Sequence, residues 1–212
     1  MSILNRISEK LQAGKAKEVK ELVAEAIEQG IKAKDILDCG LLDGMNIIGD
    51  KFKVNEVYVP EVLIAARAMK TGMEVLKPHL ISDDVKPAGR VCIGTVKGDL
   101  HDIGKNLVRM MMEGKGLEVV DLGVDVSPEQ FVKAAIEQDC KVICCSALLT
   151  TTMGAMKDVV DLCIAEGVRD KIKIMIGGAP ITDAYCASIG ADAYSPDAAS
   201  GADVALKFCL EA

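Results

Sequence analysis

The sequence predicts an N-terminal helical bundle followed by a doubly wound, parallel α/β sheet. Before residue 82, apolar residues recur at the spacing of helix faces. After residue 89, short apolar strands alternate with helical segments, which is typical of a parallel sheet covered by helices. The polar stretch Ser82–Gly89 carries a proline and a glycine and separates the two patterns. We therefore expect a helical domain over residues 1–88 and an α/β domain over residues 89–212.

The spacing of apolar residues predicts four helices in the first domain, which is enough for a small bundle. Pro60 suits the first turn of the last of these helices, because its missing N–H needs no partner there. The predicted helices are Ile3–Leu11, Val19–Ile27, Ile36–Phe52 and Pro60–Leu76.

Five β–α units follow one another in the second domain and predict a five-stranded parallel sheet. Ligands of such sheets bind beyond the carboxyl ends of the strands, so functional residues are expected in the loops that follow the strands. The predicted strands are Val91–Val96, Glu118–Leu122, Val142–Ser146, Ile172–Ile176 and a weak Ala191–Tyr194. The predicted helices are Gly104–Glu113, Pro128–Gln138, Met153–Ala165, Thr182–Ile189 and Ala198–Leu210.

The composition narrows the class of protein. The chain of 212 residues has a formal net charge of −7, which argues against nucleic-acid binding and against docking on an acidic membrane surface. Its eight cysteines form no CxxC pair and are expected to be reduced, buried, small side chains rather than a thiolate metal site. The N-terminus lacks the apolar core of a signal peptide and no stretch approaches a membrane span, so we expect a cytoplasmic protein.

The loop after the first predicted strand carries one of the two histidines of the chain. It reads Gly98-Asp99-Leu100-His101-Asp102-Ile103-Gly104. A metal-bound imidazole usually donates its second N–H to a carboxylate, and Asp99 is placed to accept it from His101. On this loop alone, a plain helix N-terminus with Asp99 as its cap is the simpler interpretation.

Two further groups of residues fall at the same edge of the predicted sheet. The third strand ends in Ser146-Ala147-Leu148, followed by the hydroxyl groups of Thr150–Thr152, and the fourth strand ends in Gly177-Gly178. Hydroxyl groups can bind polar parts of a cofactor, and glycines let a bulky group approach the backbone. A single histidine does not hold a bare metal ion with useful affinity, so a metal at His101 is expected to arrive inside a cofactor.

Together these residues resemble the cobalamin-binding motif D-x-H-x-x-G, S-x-L and G-G. The stretch Asp99–Gly104 matches the first part, with the histidine in place. Ser146–Leu148 matches the second part after 41 intervening residues, and Gly177–Gly178 matches the third after 28 more. The chain is thereby similar to the corrinoid proteins of methylamine, quaternary-amine, methanol and methoxyaromatic methyltransferase systems, and to the cobalamin-binding module of methionine synthase.

The resemblance implies a Rossmann-like, flavodoxin-type sheet domain that binds cobalamin, with His101 as the axial cobalt ligand. It also implies that Thr152, at a position that commonly holds serine, continues the pair of Asp99 and His101 as the third member of a catalytic group. The residues that the resemblance places against the cofactor are Gly98, Asp99, Leu100, His101, Asp102, Gly104, Ser146, Leu148, Thr150, Gly177, Gly178 and Ala198.

The helical domain is similar to the cap of methyl-carrying corrinoid proteins in the segments Phe52–Val62 and Ala65–Lys70. In that family the cap covers the upper face of the cofactor, which implies that Phe52 and Val59 shield the methyl group. The plain alternative is that both side chains belong to the core of the bundle.

The resemblance implies a methyl carrier in methylamine and one-carbon metabolism. The cobalt of cobalamin or a related corrinoid, alternating between methylcobalamin and cob(I)alamin, would accept a methyl group from a substrate-specific methyltransferase, with a methylated amine preferred as donor. A second methyltransferase acting on tetrahydrofolate or a thiol coenzyme and a reductive activase are the other expected partners, and no turnover is expected without them. The alternatives are a cobalamin-dependent sensor, a radical-mutase subunit and a flavodoxin-like fold without cobalamin.

Overall fold

The computed structural model describes residues Ser2–Glu211. Over this range the chain separates into two compact units: one runs to Pro87 and also includes Gly114–Gly116, and the other holds the remaining residues from Ala88 onward. The first unit is helical, and the second contains every strand found among the described residues. The predicted fold class, a helical N-terminal domain followed by a parallel α/β sheet, is confirmed.

The helical unit begins with α1, whose N-terminal Ser2 accepts a hydrogen bond from Asn5 N–H at 3.2 Å. Its longest helix, α5, packs mainly against α2 and continues past the predicted end at Leu76. The elements are α1 (Ile3–Gln12), α2 (Ala16–Glu28), α3 (Ala33–Ile36), a π-helical segment (Leu37–Leu42), α4 (Asp43–Lys53) and α5 (Val59–Ser82).

The third predicted helix, Ile36–Phe52, differs from the structure because its path is divided into α3, the π-helical segment and α4. This path passes close to α1: a Cβ atom on Gly44 would lie 3.0 Å from the carbonyl oxygen of Ser8. Apolar spacing indicates a helix over such a stretch but does not report a local change of helix type.

The second unit is a five-stranded, all-parallel sheet in the described part of the chain, with strand order β2-β1-β3-β4-β5. Its strands are β1 (Arg90–Thr95), β2 (Glu118–Asp121), β3 (Val142–Ser146), β4 (Lys173–Gly177) and β5 (Ala193–Tyr194). Its helices are α6 (Ile103–Glu113), α7 (Pro128–Glu137), α8 (Gly154–Ala165), α9 (Asp183–Ile189) and α10 (Ala198–Glu211).

Helices cover both faces of this sheet. Helix α6 packs against α10, while α7 packs against α8 and α8 against α9. The chain leaves β1 toward β2 and later returns to β3 on the other side of β1, so the winding direction reverses between β1 and β3. A core of apolar side chains surrounds these strands, with Phe131 as its largest fully buried side chain.

One lysine is buried beside the end of β2. The side chain of Lys105 is 2% exposed, and its Nζ lies 2.5 Å from Asp121 Oδ1 and 2.9 Å from Asn106 Oδ1. Burial raises the pKa of Asp121, but hydrogen bonds from Lys105 and from Gly123 N–H, together with nearby positive charge, outweigh it and lower that pKa. Helix α6 is thereby fixed to the edge of the sheet by an ion pair that water screens weakly.

The cysteines follow the prediction for six of the eight residues: these six are buried, whereas Cys209 is half-buried and Cys39 is exposed. All eight are free thiols, and burial raises the pKa of Cys163 and of Cys209 to about 11. Residues 2–211 contain no cluster of three or more metal-ligating side chains. Among the helices described, none is both long and apolar enough to cross a membrane.

Candidate functional site

The site lies where β1, β3 and β4 end side by side. Thr95, Ser146 and Gly177 are register partners across these three strands. The loops that follow β1, β3 and β4 therefore start together, at the point where the winding direction of the sheet reverses. This is the edge at which parallel α/β sheets bind their ligands.

His101 and Asp99 form a hydrogen-bonded pair in the loop after β1. His101 Nδ1 lies 2.7 Å from Asp99 Oδ1. The imidazole side chain is 51% exposed, whereas the Asp99 side chain is fully buried. The buried carboxylate therefore occupies one ring nitrogen and leaves the lone pair of the other, Nε2, for a ligand.

The Asp99 carboxylate collects donors from two loops. Oδ1 also accepts a hydrogen bond from the backbone N–H of His101 at 3.1 Å. Oδ2 accepts hydrogen bonds from the backbone N–H groups of Leu148 at 2.8 Å and Leu149 at 3.2 Å, and from Thr152 Oγ1 at 2.9 Å. The side chain thus ties the loop after β1 to the loop after β3.

The same donors settle the charge of Asp99. Burial raises its pKa, but the hydrogen bonds from His101, Leu148 and Thr152 outweigh burial and hold the pKa well below its usual range. The carboxylate is therefore ionised at neutral pH and can only accept hydrogen bonds. It follows that a neutral His101 carries its proton on Nδ1, facing the carboxylate, and has its lone pair on Nε2.

Thr152 occupies the position that the motif assigns to the third member of this group. Its hydroxyl lies 2.9 Å from both Asp99 Oδ2 and the carbonyl oxygen of Leu149. A hydroxyl has a single hydrogen to donate, so these two acceptors compete for it. The structure thus joins Asp99, His101 and Thr152 in one hydrogen-bonded chain that ends at the exposed imidazole.

Two residues that the sequence analysis did not single out hold the main chain of the His101 loop. Thr95 is fully buried, and its hydroxyl donates a hydrogen bond to the carbonyl oxygen of His101 at 2.8 Å. Asp125, in the loop after β2, accepts a hydrogen bond from Gly98 N–H at 2.7 Å. The sequence offered two indications of these roles: Thr95 is a polar residue at the end of an apolar strand, and Asp125 follows shortly after the end of β2.

Gly177 and Gly178, at the end of β4, differ in what surrounds them. Gly178 has φ +134°, and a Cβ atom there would lie 1.8 Å from the carbonyl oxygen of Ala147, so the protein backbone itself requires glycine. A Cβ atom on Gly177 would meet nothing closer than 3.9 Å, and one on Gly104 would meet nothing within 4 Å. These two positions are open beside the site.

Apolar side chains surround His101 although they face solvent. Leu100 is 71% exposed and Leu148 is 44% exposed. Two neighbours that the sequence analysis did not predict are also exposed: Ile103 at 79% and Leu149 at 41%. Four exposed apolar side chains around a polar pair are unusual for a free surface and suit a large, partly apolar ligand.

The other predicted residues lie in three places. Asp102 and Thr150 are exposed in the loops after β1 and β3, and Asp102 Oδ2 accepts a hydrogen bond from Asn106 Nδ2 at 3.0 Å. Ala198 is buried at the start of α10. Phe52, near the end of α4, and Val59, at the start of α5, are half-buried in the helical unit. Their contacts with a cofactor stay predictions.

The fold and this site define a class: a parallel α/β module with a single open imidazole for a metal that is carried inside a larger cofactor. Family comparison identifies the same class. Two family models described as B12 binding domain match the chain, one over residues 89–205 and the other over residues 3–77. The chain belongs to the family of B12-binding corrinoid proteins.

Relatives match over most of the chain. It is 40% identical over 194 residues to dimethylamine corrinoid protein 3 of Methanosarcina acetivorans, covering 90% of this chain and 91% of the relative. It is 43% identical over 191 residues to monomethylamine corrinoid protein 1 of Methanosarcina barkeri, covering 88% of each. The structure matches the methanol:cobalamin methyltransferase complex MtaBC of Methanosarcina barkeri with a TM-score of 0.88 and 29% identity, covering 99% of this chain and 80% of that one.

The residues of the site fit cobalamin, the cofactor of this family. The open imidazole supplies one coordination position, which is what a cobalt ion already held by a corrin ring can take. The exposed leucines and Ile103 offer apolar contact, and the space beside Gly104 and Gly177 leaves room for a bulky group.

Proposed function

We propose that this chain is a methyl carrier that receives a methyl group from a methylated amine and passes it to a second acceptor. The observation that carries the proposal is the half-exposed His101, whose Nδ1 is held by the buried, ionised Asp99 while Nε2 is left for a ligand. Cobalamin, when bound, supplies a cobalt centre that can take up and release a methyl group. His101 would hold that cobalt through Nε2.

The chain's own residues orient the ligand and control a proton. Thr152 and the backbone N–H groups of Leu148 and Leu149 keep the Asp99 carboxylate in place. Asp99 in turn keeps the Nδ1 proton of His101 on the side away from the cofactor. When the imidazole is not ligating, Nε2 is free to take a proton, and the carboxylate stabilises the charge that results. Asp99 and Thr152 are therefore proposed as members of the reactive group.

The substrate class rests on the relatives. Proteins named for monomethylamine and dimethylamine share 43% and 40% of their aligned residues with this chain. We therefore favour a methylated amine as methyl donor over methanol, whose system contains the structural neighbour at 29% identity. Relatives of almost the same length that are named corrinoid proteins also favour a carrier over a sensor or a mutase subunit.

A methyltransferase is the partner of this carrier. Support comes from the structural neighbour, which is part of a methyltransferase complex. The finer assignments are proposals: a second methyltransferase for tetrahydrofolate or a thiol coenzyme, a reductive activase, no turnover by the chain alone, and a cytoplasmic location. We also retain residues 1–88 as a cap, with Phe52 and Val59 as the shield of the methyl group, and residues 89–212 as the cobalamin-binding domain.

The chain's two histidines provide a matched pair of variants for the test. His101→Ala and His79→Ala are each loaded with cobalamin, and their visible spectra are recorded. A methyltransferase that co-purifies with the chain is then added. The transfer of methyl groups is measured from mono-, di- and trimethylamine and from methanol. His79 is exposed on α5, so its removal should change neither quantity. His101→Ala should shift the spectrum and abolish transfer. An unchanged spectrum and full transfer in His101→Ala would contradict the assignment of His101 as the ligand. Transfer from methanol but from none of the amines would contradict the proposal that a methylated amine is the methyl donor.

A further inference from the structure

Asp125 connects the loop after β2 to the loop that carries His101. Its Oδ1 accepts a hydrogen bond from Gly98 N–H at 2.7 Å. Its own backbone N–H donates to the carbonyl oxygen of Asp99 at 3.0 Å. One residue thus holds both Gly98 and Asp99, and Asp99 lies two residues before His101.

The backbone of Asp125 is in the left-handed conformation. Its φ is +54°, in the left-handed region that side chains other than glycine, asparagine and aspartate rarely adopt. Glycine would fit this backbone without strain but has no carboxylate. Aspartate is therefore one of the few residues that can both adopt this backbone and place a side-chain acceptor at Gly98.

The support under Asp125 is rigid. Val126 N–H donates to the carbonyl oxygen of Thr95 at 2.9 Å, and Thr95 N–H donates to the carbonyl oxygen of Gly123 at 3.0 Å. Val126 also forms an isolated parallel bridge with Val96. The segment around Asp125 thereby continues the pairing of β2 with β1, so the position of the carboxylate is set by the sheet.

Asp99 is consequently held from two sides. Its carboxylate is bound by the loop after β3, through Leu148, Leu149 and Thr152. Its main chain is bound by Asp125 from the loop after β2. The carboxylate alone fixes one atom group, and rotation of the backbone around it would still move the imidazole. Contacts on the main chain remove that freedom.

We propose that Asp125 is a positioning residue for His101, acting through the backbone of Gly98 and Asp99. The proposal rests on the proposed role of His101 as a ligand. Asp125 acts at a distance from the cofactor: it keeps the Asp99–His101 pair in the orientation from which Nε2 can reach the cobalt. The competing explanation is that Asp125 only stabilises the turn after β2.

Two substitutions test the side-chain acceptor of Asp125 without disturbing its left-handed backbone. Asp125→Gly fits φ +54° and removes the acceptor, while Asp125→Asn keeps an oxygen acceptor and also tolerates this backbone. The matched control is Asp139→Gly, because Asp139 has φ +50° and its carboxylate accepts a hydrogen bond from Lys141 Nζ at 3.0 Å beyond the end of α7. Thermal unfolding checks that all three variants fold.

The first readout uses the full chain without cofactor. The exchange rate of the His101 amide hydrogen, which is bonded to Asp99 Oδ1, is measured by NMR. Loss of a hydrogen bond to a carboxylate predicts about tenfold faster exchange in Asp125→Gly, with less than about threefold change in Asp125→Asn. The control should match the wild type. A purely local role for Asp125 would leave exchange at His101 unchanged in Asp125→Gly, and that result would overturn the proposal.

The second readout uses the chain made with isotopically labelled histidine and loaded with cob(II)alamin, the form of the cofactor that has an unpaired electron. The splitting of the electron paramagnetic resonance signal by the labelled nitrogen measures the ratio of imidazole-bound to imidazole-free cobalt. Asp125→Gly should lower this ratio by about tenfold, and Asp125→Asn should restore it. Persistence of the splitting in His101→Ala would show that the ligand assignment itself is wrong. Loss in His101→Ala but wild-type splitting in Asp125→Gly would refute only the role of Asp125.

Discussion

Replacement of Asp99 by asparagine should reverse the tautomer of His101 and remove it as a ligand. The carboxylate has two sets of donors: Oδ1 faces the Nδ1 and backbone N–H of His101, and Oδ2 faces the backbone N–H groups of Leu148 and Leu149 and the hydroxyl of Thr152. An asparagine offers one oxygen and one NH₂ group, so one set of donors must face another donor.

The structure predicts which of the two sets of donors loses its acceptor. If the NH₂ group replaced Oδ2, the backbone N–H groups of Leu148 and Leu149 would both lose their acceptor. If the NH₂ group replaces Oδ1, only the backbone N–H of His101 loses its acceptor. Each stranded donor costs about 1–3 kcal/mol, so the second arrangement is favoured. The NH₂ group then donates to Nδ1, the imidazole proton moves to Nε2, and Nε2 has no lone pair left for cobalt.

The expected loss is large enough to measure. Removing the hydrogen-bond partner of a metal-ligating histidine weakens the metal site by about 10–100-fold. The assay is the fraction of bound cob(II)alamin whose electron paramagnetic resonance signal is split by labelled histidine nitrogen, with cobalamin affinity measured in parallel. The control is Asp139→Asn, whose exposed carboxylate accepts a hydrogen bond from Lys141 instead. Full histidine ligation in Asp99→Asn would refute the tautomer argument.

Four further predictions concern stability and the shape of the site. Thr152→Val removes a donor to a buried carboxylate and should lower the free energy of unfolding by about 1.5–3 kcal/mol in urea titrations, whereas Thr152→Ser should retain most of it. Because the pKa of Asp121 is lower in the folded chain, its stabilisation is present at neutral pH and is lost below about pH 4, so Asp121→Asn should unfold with a shallower pH dependence in acid. Gly178→Ala should lose more than about 2 kcal/mol because of φ +134° and its contact with a carbonyl oxygen, as read from thermal unfolding. Gly177→Ala should unfold like the wild type yet bind cobalamin at least about tenfold more weakly; equal binding would show that the open space there is not used.

The order of the helices and strands could be predicted from the sequence because apolar periodicity is a local property. The strand Val142–Ser146 was predicted with its observed bounds, and the other strands differ by at most two residues at either end. The division of the stretch Ile36–Phe52 could not be predicted, since apolar spacing does not report a local change of helix type. The site residues were predicted from the resemblance to the cobalamin-binding motif, and the loops that carry them were expected to meet because parallel strand ends lie at one edge of a sheet.

Sequence by itself determined that Asp99 and His101 share a loop, that Ser146 and Gly177 end neighbouring strands, and that the chain resembles corrinoid proteins. Only the tertiary structure decided the charge and the tautomer of the pair, because both depend on donors from Leu148, Leu149 and Thr152, about fifty residues away along the chain. The same holds for Asp125, whose partners Gly98 and Asp99 precede it by 27 and 26 residues. A hydrogen bond acts over about 3 Å, and only the folded sheet brings such distant residues within that distance.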